Sequence, residues 1–95
     1  MDNNIIILSG GFDPVHKGHV RMFKESRKLG SVIVGLNSDE WLIRKKNKFF
    51  MPFEERKEIL DAIKYIDKTR SFNDNDDTAC DLIKNIHAEY GNKYK

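Results

Sequence analysis

The residues best suited to chemistry stand close together near the start of the chain, where two histidines follow a pair of glycines. Residues 10–19 read Gly-Gly-Phe-Asp-Pro-Val-His-Lys-Gly-His. His16 and His19 are three residues apart, so they share one face if the segment is helical. Their imidazoles can donate hydrogen bonds to a phosphate, and they can exchange a proton near neutral pH. The segment therefore predicts a phosphate-binding site with two candidates for proton transfer.

A buried strand and a helix are needed to position these histidines. The apolar, β-branched run over 5–8 is typical of a parallel strand that is buried on both faces. Gly10 and Gly11 allow a sharp turn at its carboxyl end and let backbone N–H groups approach a ligand. Pro14 suits a loop that leads into a helix over 17–29, whose N-terminus favours a phosphate. We expect the site at the carboxyl edge of a parallel sheet, where ligands of open α/β folds bind.

The simpler alternative is a glycine-rich turn followed by a helix with two surface histidines. A histidine pair alone would favour that interpretation. Here six suggestive residues coincide within ten positions, after a strand and before a helix, and this favours the functional interpretation. The six residues are Gly10, Phe12, Asp13, His16, Gly18 and His19.

Residues 10–19 resemble the GxFDxxHxGH signature of the cytidylyltransferase-like nucleotidyltransferases, which are Rossmann-like enzymes with an HxGH motif. Within that superfamily the sequence is most similar to glycerol-3-phosphate cytidylyltransferases and to the nucleotidyltransferase domain of ADP-heptose synthases. The resemblance implies a three-layer α/β/α domain with a parallel sheet. It also implies that a nucleoside triphosphate, CTP or else ATP, is joined with Mg²⁺ to a phosphorylated small molecule such as glycerol 3-phosphate or a sugar phosphate. Pyrophosphate is then released.

The resemblance also assigns roles to individual residues. It implies that His16, His19 and Lys46 are catalytic. It implies that the nucleotide is bound by Gly10, Gly11, Phe12, Asp13, His16, Gly18, His19 and Arg56.

The composition sets limits on the class of protein. With 95 residues the chain forms one small domain, and 17 basic against 15 acidic side chains leave a net charge of +2. That balance does not favour a nucleic-acid or membrane partner. A single cysteine, Cys80, excludes an intrachain disulfide and fits a reducing compartment. No apolar run approaches the ~20 residues of a membrane span, and no signal peptide is evident, so we expect a cytoplasmic protein.

Further strands and helices follow in an α/β order. A strand after the first helix predicts a right-handed βαβ unit. Asn37 is predicted to cap the next helix together with Glu40, and Pro52 suits the first turn of the one after it. The expected elements are strands over 31–36 and 69–72 and helices over 39–45, 53–63 and 78–90, the last capped by Asp77 and ended by Gly91.

A basic cluster ends the second helix. Its default interpretation is a solvated surface. The resemblance implies that one lysine of this segment reaches the phosphate of the acceptor, and Lys46 matches best by spacing, with Lys45 as the alternative. The cluster contains Arg44, Lys45, Lys46 and Lys48.

Three other features leave alternatives open. Phe49 and Phe50 either pack beneath their loop or form an apolar lid over the substrate. Arg56 lies among apolar residues on one helix face, where an arginine pairs with a carboxylate or with a ligand oxyanion. The acidic stretch 73–77 lacks the glycine and distal glutamate of an EF-hand, so we interpret it as a turn and predict no metal site.

The end of the chain departs from the family pattern. Family members continue into a further strand and a helix whose serine- and threonine-rich motif contacts the triphosphate. Neither is found in residues 1–95. We expect either a domain that is incomplete at its C-terminus or a homodimer in which a partner supplies the missing wall. The alternative function is a truncated, inactive module that still binds nucleotide or phosphate.

Overall fold

The structure, a computed structural model, describes residues 4–90 of the chain as three strands and four helices. Strands and helices alternate apart from two consecutive helices, which confirms the predicted α/β class. Each predicted boundary lies within two residues of the observed one. The elements are β1 (Ile5–Gly10), α1 (Lys17–Arg27), β2 (Ser31–Leu36), α2 (Asp39–Lys46), α3 (Phe53–Asp61), β3 (Lys68–Ser71) and α4 (Cys80–Tyr90).

The three strands form one parallel sheet in the order β1-β2-β3, with β2 in the centre. Gly10 at the end of β1 lies opposite Leu36 at the end of β2. Leu36 in turn lies opposite Ser71 at the end of β3. The carboxyl ends of all three strands therefore meet at one edge, where the segments that follow them can form a common site.

Helices cover both faces of this sheet, which confirms the predicted three layers. Phe23 of α1 and Leu60 of α3 are fully buried on the face of the sheet that includes Val34. Leu82 of α4 is fully buried on the opposite face, against Ile33. Consecutive residues of a strand point to opposite faces, so the apolar run of β2 contributes to both cores.

Burial of β1 differs from the sequence-based expectation. The run over 5–8 predicts a strand buried on both faces. Ile5 is buried, whereas Ile6, Ile7 and Leu8 are only partly buried. The reason is the strand order, because β1 pairs only with β2 among residues 4–90 and so lies at an edge of the sheet.

The cap of α2 also differs from the prediction. Ser38 is the N-cap, and its Oγ accepts a hydrogen bond from the backbone N–H of Trp41 at 3.1 Å. The predicted cap, Asn37, is wrong because this residue still belongs to the sheet. Its backbone N–H donates to the carbonyl of Gly10 at 3.0 Å, one step beyond the last residue of β2.

Gly91, predicted to end the last helix, lies outside the described residues. Within 4–90, no helix combines the length and the apolar character that crossing a membrane requires.

Candidate active site

The loop after β1 brings the histidines to the carboxyl edge of the sheet. Gly11 packs so closely against α2 that an added Cβ would lie 2.7 Å from a methyl carbon of Leu42. Phe12 adopts a positive φ of 49° with its ring buried. This ring meets His19 edge-on, with 4.9 Å between the ring centroids. The conformation of the loop therefore places the ring of Phe12 in contact with His19.

The two histidines cap α1 reciprocally. His16 is the N-cap, and its Nδ1 accepts a hydrogen bond from the backbone N–H of Gly18 at 3.0 Å. The backbone N–H of His16 donates to Nδ1 of His19 at 3.2 Å. Both Nδ1 atoms accept, so each neutral ring carries its proton on Nε2. The pair therefore presents two Nε2–H donors beside the helix N-terminus, where an anion is favoured.

The two rings are stacked, and this affects the protonation of His19. Their centroids are 3.9 Å apart and their planes are inclined by 26°. Burial lowers the pKa of His19 below its ordinary value of 6.5, and electrostatic repulsion from the neighbouring His16 lowers it further. His19 is therefore neutral at neutral pH and acts as a hydrogen-bond donor through Nε2.

A cavity of about 410 Å³, which we call the histidine cavity, opens at this edge of the sheet. Its lining includes His16 and His19 together with Trp41, Lys45 and Lys46 of α2. Histidine donors and lysine ammonium groups thus face one volume. This combination suits a ligand with several phosphate oxygens.

The structure separates the two lysines between which the sequence could not decide. Lys46 Nζ donates to the carbonyl oxygen of Asp13, 3.3 Å away. Lys45 Nζ lies over the ring of Trp41, 5.9 Å from its centroid. Lys46 therefore directly contacts the loop between β1 and α1 (residues 11–16, the histidine loop), which favours it as the candidate phosphate ligand. Its catalytic role stays a prediction.

Asp13 has a function that the sequence did not indicate. Its two carboxylate oxygens accept hydrogen bonds from backbone N–H groups of the loop between α2 and α3. Phe50 N donates to Oδ2 at 2.5 Å, and Met51 N donates to Oδ1 at 2.7 Å. Asp13 therefore ties this loop to the histidine loop, while the nucleotide contact implied by the resemblance stays a prediction.

Arg56 is completely buried, with 0% of its side chain exposed. Its guanidinium donates to Asp39 Oδ1 at 2.7 Å, which is the carboxylate pairing that one sequence interpretation anticipated. It also donates to three backbone carbonyls at 2.8–2.9 Å. The structure therefore explains Arg56 as a buried side chain that links separate backbone segments within the protein. Its contact with nucleotide stays a prediction. The three carbonyls belong to Gly11, Asn37 and Met51.

The fold and the site together match one known family. A family profile described as "Cytidylyltransferase-like" covers residues 7–94. The chain belongs to the cytidylyltransferase-like family. The family resemblance predicted from residues 10–19 is thereby confirmed.

Individual members of the cytidylyltransferase-like family carry different names. The chain is 38% identical over 62 residues to the FAD synthase of Archaeoglobus fulgidus, an alignment that covers 65% of this chain and 45% of that protein. It is 34% identical over 64 residues to the glycerol-3-phosphate cytidylyltransferase of Bacillus subtilis, covering 66% of this chain and 50% of that protein. The chain thus spans about half the length of these two relatives.

Two longer matches support the same family and fold. The bifunctional protein HldE of Syntrophotalea carbinolica is 34% identical over 88 residues, which is 90% of this chain and 18% of that protein. The lipopolysaccharide core biosynthesis protein from Thermoplasma volcanium has a similar structure, with a TM-score of 0.70 at 24% identity. That match covers 88% of this chain and 66% of that one. At this identity the structural likeness supports the fold alone.

Sequence reasoning missed one buried carboxylate of this family member. Asp74 accepts hydrogen bonds from Asn37 Nδ2 at 3.0 Å and from the backbone N and the Oγ of Ser38, both at 2.8 Å. Burial alone would raise the pKa of Asp74, but these hydrogen bonds outweigh it and hold the pKa below 3.8. The position of Asp74 just after β3 was the available signal, because adjacent parallel strands end at the same edge.

The predicted cap of α4 is wrong. The helix begins at Cys80, so Asp77 lies too far before its first turn to be the N-cap, and its carboxylate pairs with Arg44 at 2.8 Å instead. Arg44 also donates to the carbonyl oxygen of Asp74 at 2.7 Å. The acidic stretch 73–77 therefore ties α2 to the segment before α4.

Proposed function

We propose that this chain provides the nucleotidyltransferase site of an enzyme that joins a nucleoside triphosphate to a phosphorylated small molecule. An oxygen of the acceptor's phosphate attacks the α-phosphorus and forms a new P–O bond. The bond from the α-phosphorus to the bridging oxygen breaks, and pyrophosphate leaves. The observation that carries this proposal is the stacked, reciprocally capped pair of His16 and His19, which shares one cavity with Lys46.

Each group has a defined task in this reaction. The Nε2–H groups of His16 and His19 donate to oxygens of the α-phosphate, where negative charge increases in the transition state. Lys46 exchanges its contact with the Asp13 carbonyl for the phosphate of the acceptor. No covalent intermediate with the protein is required, because positioning and charge stabilisation suffice. Removal of one such donor typically lowers the rate by ~10²–10³.

We propose that Mg²⁺ enters as part of the substrate, bound to the triphosphate. Within residues 4–90, no group of three or more His, Cys, Asp or Glu side chains is arranged to hold a metal ion. Asp13, the carboxylate that lines the histidine cavity, already accepts two backbone hydrogen bonds. We therefore infer that the triphosphate oxygens, rather than a cluster of side chains in residues 4–90, supply most of the Mg²⁺ ligands.

The nucleotide and the acceptor are separate parts of the proposal. We favour CTP, with ATP as the alternative, since the relatives include proteins named for a cytidylyl transfer and for FAD synthesis. Their names point to glycerol 3-phosphate in one case and to FAD in the other, so the acceptor is left as a phosphorylated small molecule.

The test combines binding with turnover on the full 95-residue chain. Calorimetric titration of CTP and ATP with Mg²⁺ identifies the donor, and pyrophosphate release is then measured across a panel of phosphorylated acceptors. We expect one nucleotide to bind and one acceptor to trigger release. Nucleotide binding without release across the panel would support the alternative, a binding module. Binding of neither nucleotide by a folded chain would contradict both.

A further inference from the structure

A second cavity adjoins the histidine cavity on the side of the loop between α2 and α3. Its volume is about 340 Å³, and its lining includes Lys48, Phe49 and Phe50. Asp13 and Lys46 line both cavities, so they stand at the boundary between the two. A ligand in the second cavity therefore lies next to Lys46, at the boundary with the histidine cavity. Such a position suits the acceptor of the proposed reaction.

Phe50 gives this cavity an unusual wall. Its side chain is 78% exposed, more than any other large apolar side chain of residues 4–90. Isolated exposed apolar residues are common and need no function. Phe50 differs because it lines a cavity that also holds two lysines.

The backbone around Phe50 is firmly held. Its own N–H and that of Met51 donate to the carboxylate of Asp13. The carbonyl of Met51 accepts from Arg56 Nε at 2.9 Å. The exposed ring is therefore presented from an anchored loop, and an anchored aromatic surface loses little entropy when a ligand stacks on it.

The charged side chains of the second cavity indicate that its ligand carries a phosphate. Lys46 and Lys48 supply two ammonium groups. The carboxylate of Asp13 also lines the cavity, and each of its oxygens accepts a backbone N–H, which stabilises its negative charge. The cavity thus combines cations, which bind a phosphate, with aromatic rings, which bind a flat apolar surface.

We propose that the acceptor is a phosphate monoester of a molecule with a flat aromatic ring system, and that Phe50 selects it. Lys46 and Lys48 bind the phosphate, and the ring system stacks on Phe50 with Phe49 beside it. A polyol phosphate such as glycerol 3-phosphate can bind the ammonium groups of Lys46 and Lys48 but leaves Phe50 exposed. The inference rests on the proposed function, because only that reaction makes the bound molecule an acceptor. The binding preference itself can be measured without turnover.

The test measures binding of four probes to the full chain without nucleotide. Riboflavin 5′-phosphate and 4-methylumbelliferyl phosphate are the aromatic monoesters, while glycerol 3-phosphate and inorganic phosphate lack a ring. We expect at least one aromatic monoester to bind about tenfold more tightly than glycerol 3-phosphate, the factor typical of one stacking contact. Equal affinity for the aromatic and the polyol monoesters, or no binding of an aromatic monoester, would overturn the proposal.

Variants at position 50 test whether the ring of Phe50 causes the preference for aromatic monoesters. Phe50→Ala should abolish the tenfold preference and change glycerol 3-phosphate binding less than twofold. Phe50→Trp should retain the preference, because it keeps an aromatic ring at this position. Leu29→Ala is the matched control, because Leu29 is 59% exposed and lines neither cavity. A preference that persists in Phe50→Ala would overturn the assignment.

The two proposals fail in distinguishable ways. Phe50-dependent binding of an aromatic monoester, without pyrophosphate release from CTP or ATP, would support the binding site and contradict the proposed reaction. Release with glycerol 3-phosphate that is unaffected by Phe50→Ala would support the reaction and overturn the aromatic acceptor.

Discussion

The side chain of His16 has two tasks that a substitution can separate. Its Nδ1 caps α1 by accepting from Gly18, and its Nε2 is the proposed phosphate donor. Asparagine is a good N-cap but is too short to replace the Nε2 donor. A comparison of His16→Ala with His16→Asn therefore tests each task.

We expect His16→Ala to lower both the free energy of unfolding, by about 1 kcal/mol, and the rate of pyrophosphate release, by ~10²–10³. We expect His16→Asn to retain nearly the original stability and to show the same loss of rate. Urea unfolding and pyrophosphate release are the measurements. Full turnover by His16→Asn would show that the imidazole is needed only as a cap.

His19 makes the stability of this protein depend on pH. Its pKa is lowered from 6.5, first by burial and then by electrostatic repulsion from His16. The unfolded chain therefore binds this proton at a higher pH than the folded protein does. The contribution of His19 to stability is complete above pH 6.5 and is lost as the pH falls below it.

We predict that the free energy of unfolding in urea falls between about pH 7.5 and about pH 5.5, and that this fall is smaller in His19→Gln. Protonation of Nδ1 also removes the acceptor for the backbone N–H of His16. An identical pH dependence in the variant and the original protein would argue against a lowered pKa at His19.

At the scale of elements, the contact between β2 and α4 depends on a glycine. An added Cβ at Gly35 would lie 2.2 Å from Cδ2 of Leu82, which is fully buried. Leu82 packs with Ile33 and Ile86, so its side chain has little room to move. The glycine therefore sets how closely α4 approaches the sheet.

We predict that Gly35→Ala lowers the free energy of unfolding by about 1–3 kcal/mol, because the extra methyl group overpacks this core. The double variant Gly35→Ala, Leu82→Ala should be less destabilised than the sum of the two single variants. Urea unfolding of the four proteins measures this coupling. Simple additivity would contradict a direct clash between these two positions.

At the scale of the whole molecule, one buried guanidinium joins segments that are distant in sequence. Arg56 of α3 binds the carbonyl of Gly11 after β1 and the carbonyl of Asn37 after β2. It also binds Met51 in the loop that carries Phe50. The walls of both cavities are therefore held by the same side chain.

We predict that Arg56→Met lowers the free energy of unfolding by at least about 3 kcal/mol, since it leaves several buried acceptors without a donor. Arg21→Met, at an exposed position of α1, should change it by less than about 0.5 kcal/mol. Urea unfolding and nucleotide titration are measured on both variants. A stable Arg56→Met protein that no longer binds nucleotide would instead support the nucleotide contact implied by the resemblance.

Local patterns in the sequence were sufficient for much of this protein. The β-branched runs, the glycines and the helix periodicity predicted all seven elements to within two residues. Residues 10–19 predicted the family and the position of His16 and His19 at a helix start beside a strand end, because the strand end, turn and helix start are contiguous in the chain. Such features depend on neighbouring residues, whose relative positions the backbone geometry determines.

Only the tertiary structure decided which polar groups work together across the molecule. Asp13 binds the backbone of residues 50–51, Arg56 binds Gly11 and Asn37, and Asp74 binds Asn37 and Ser38. It also decided that Lys46 rather than Lys45 contacts the histidine loop. These contacts join residues up to 45 positions apart in the chain. Sequence spacing does not specify them, because they form only when the parallel strands align their carboxyl ends at one edge.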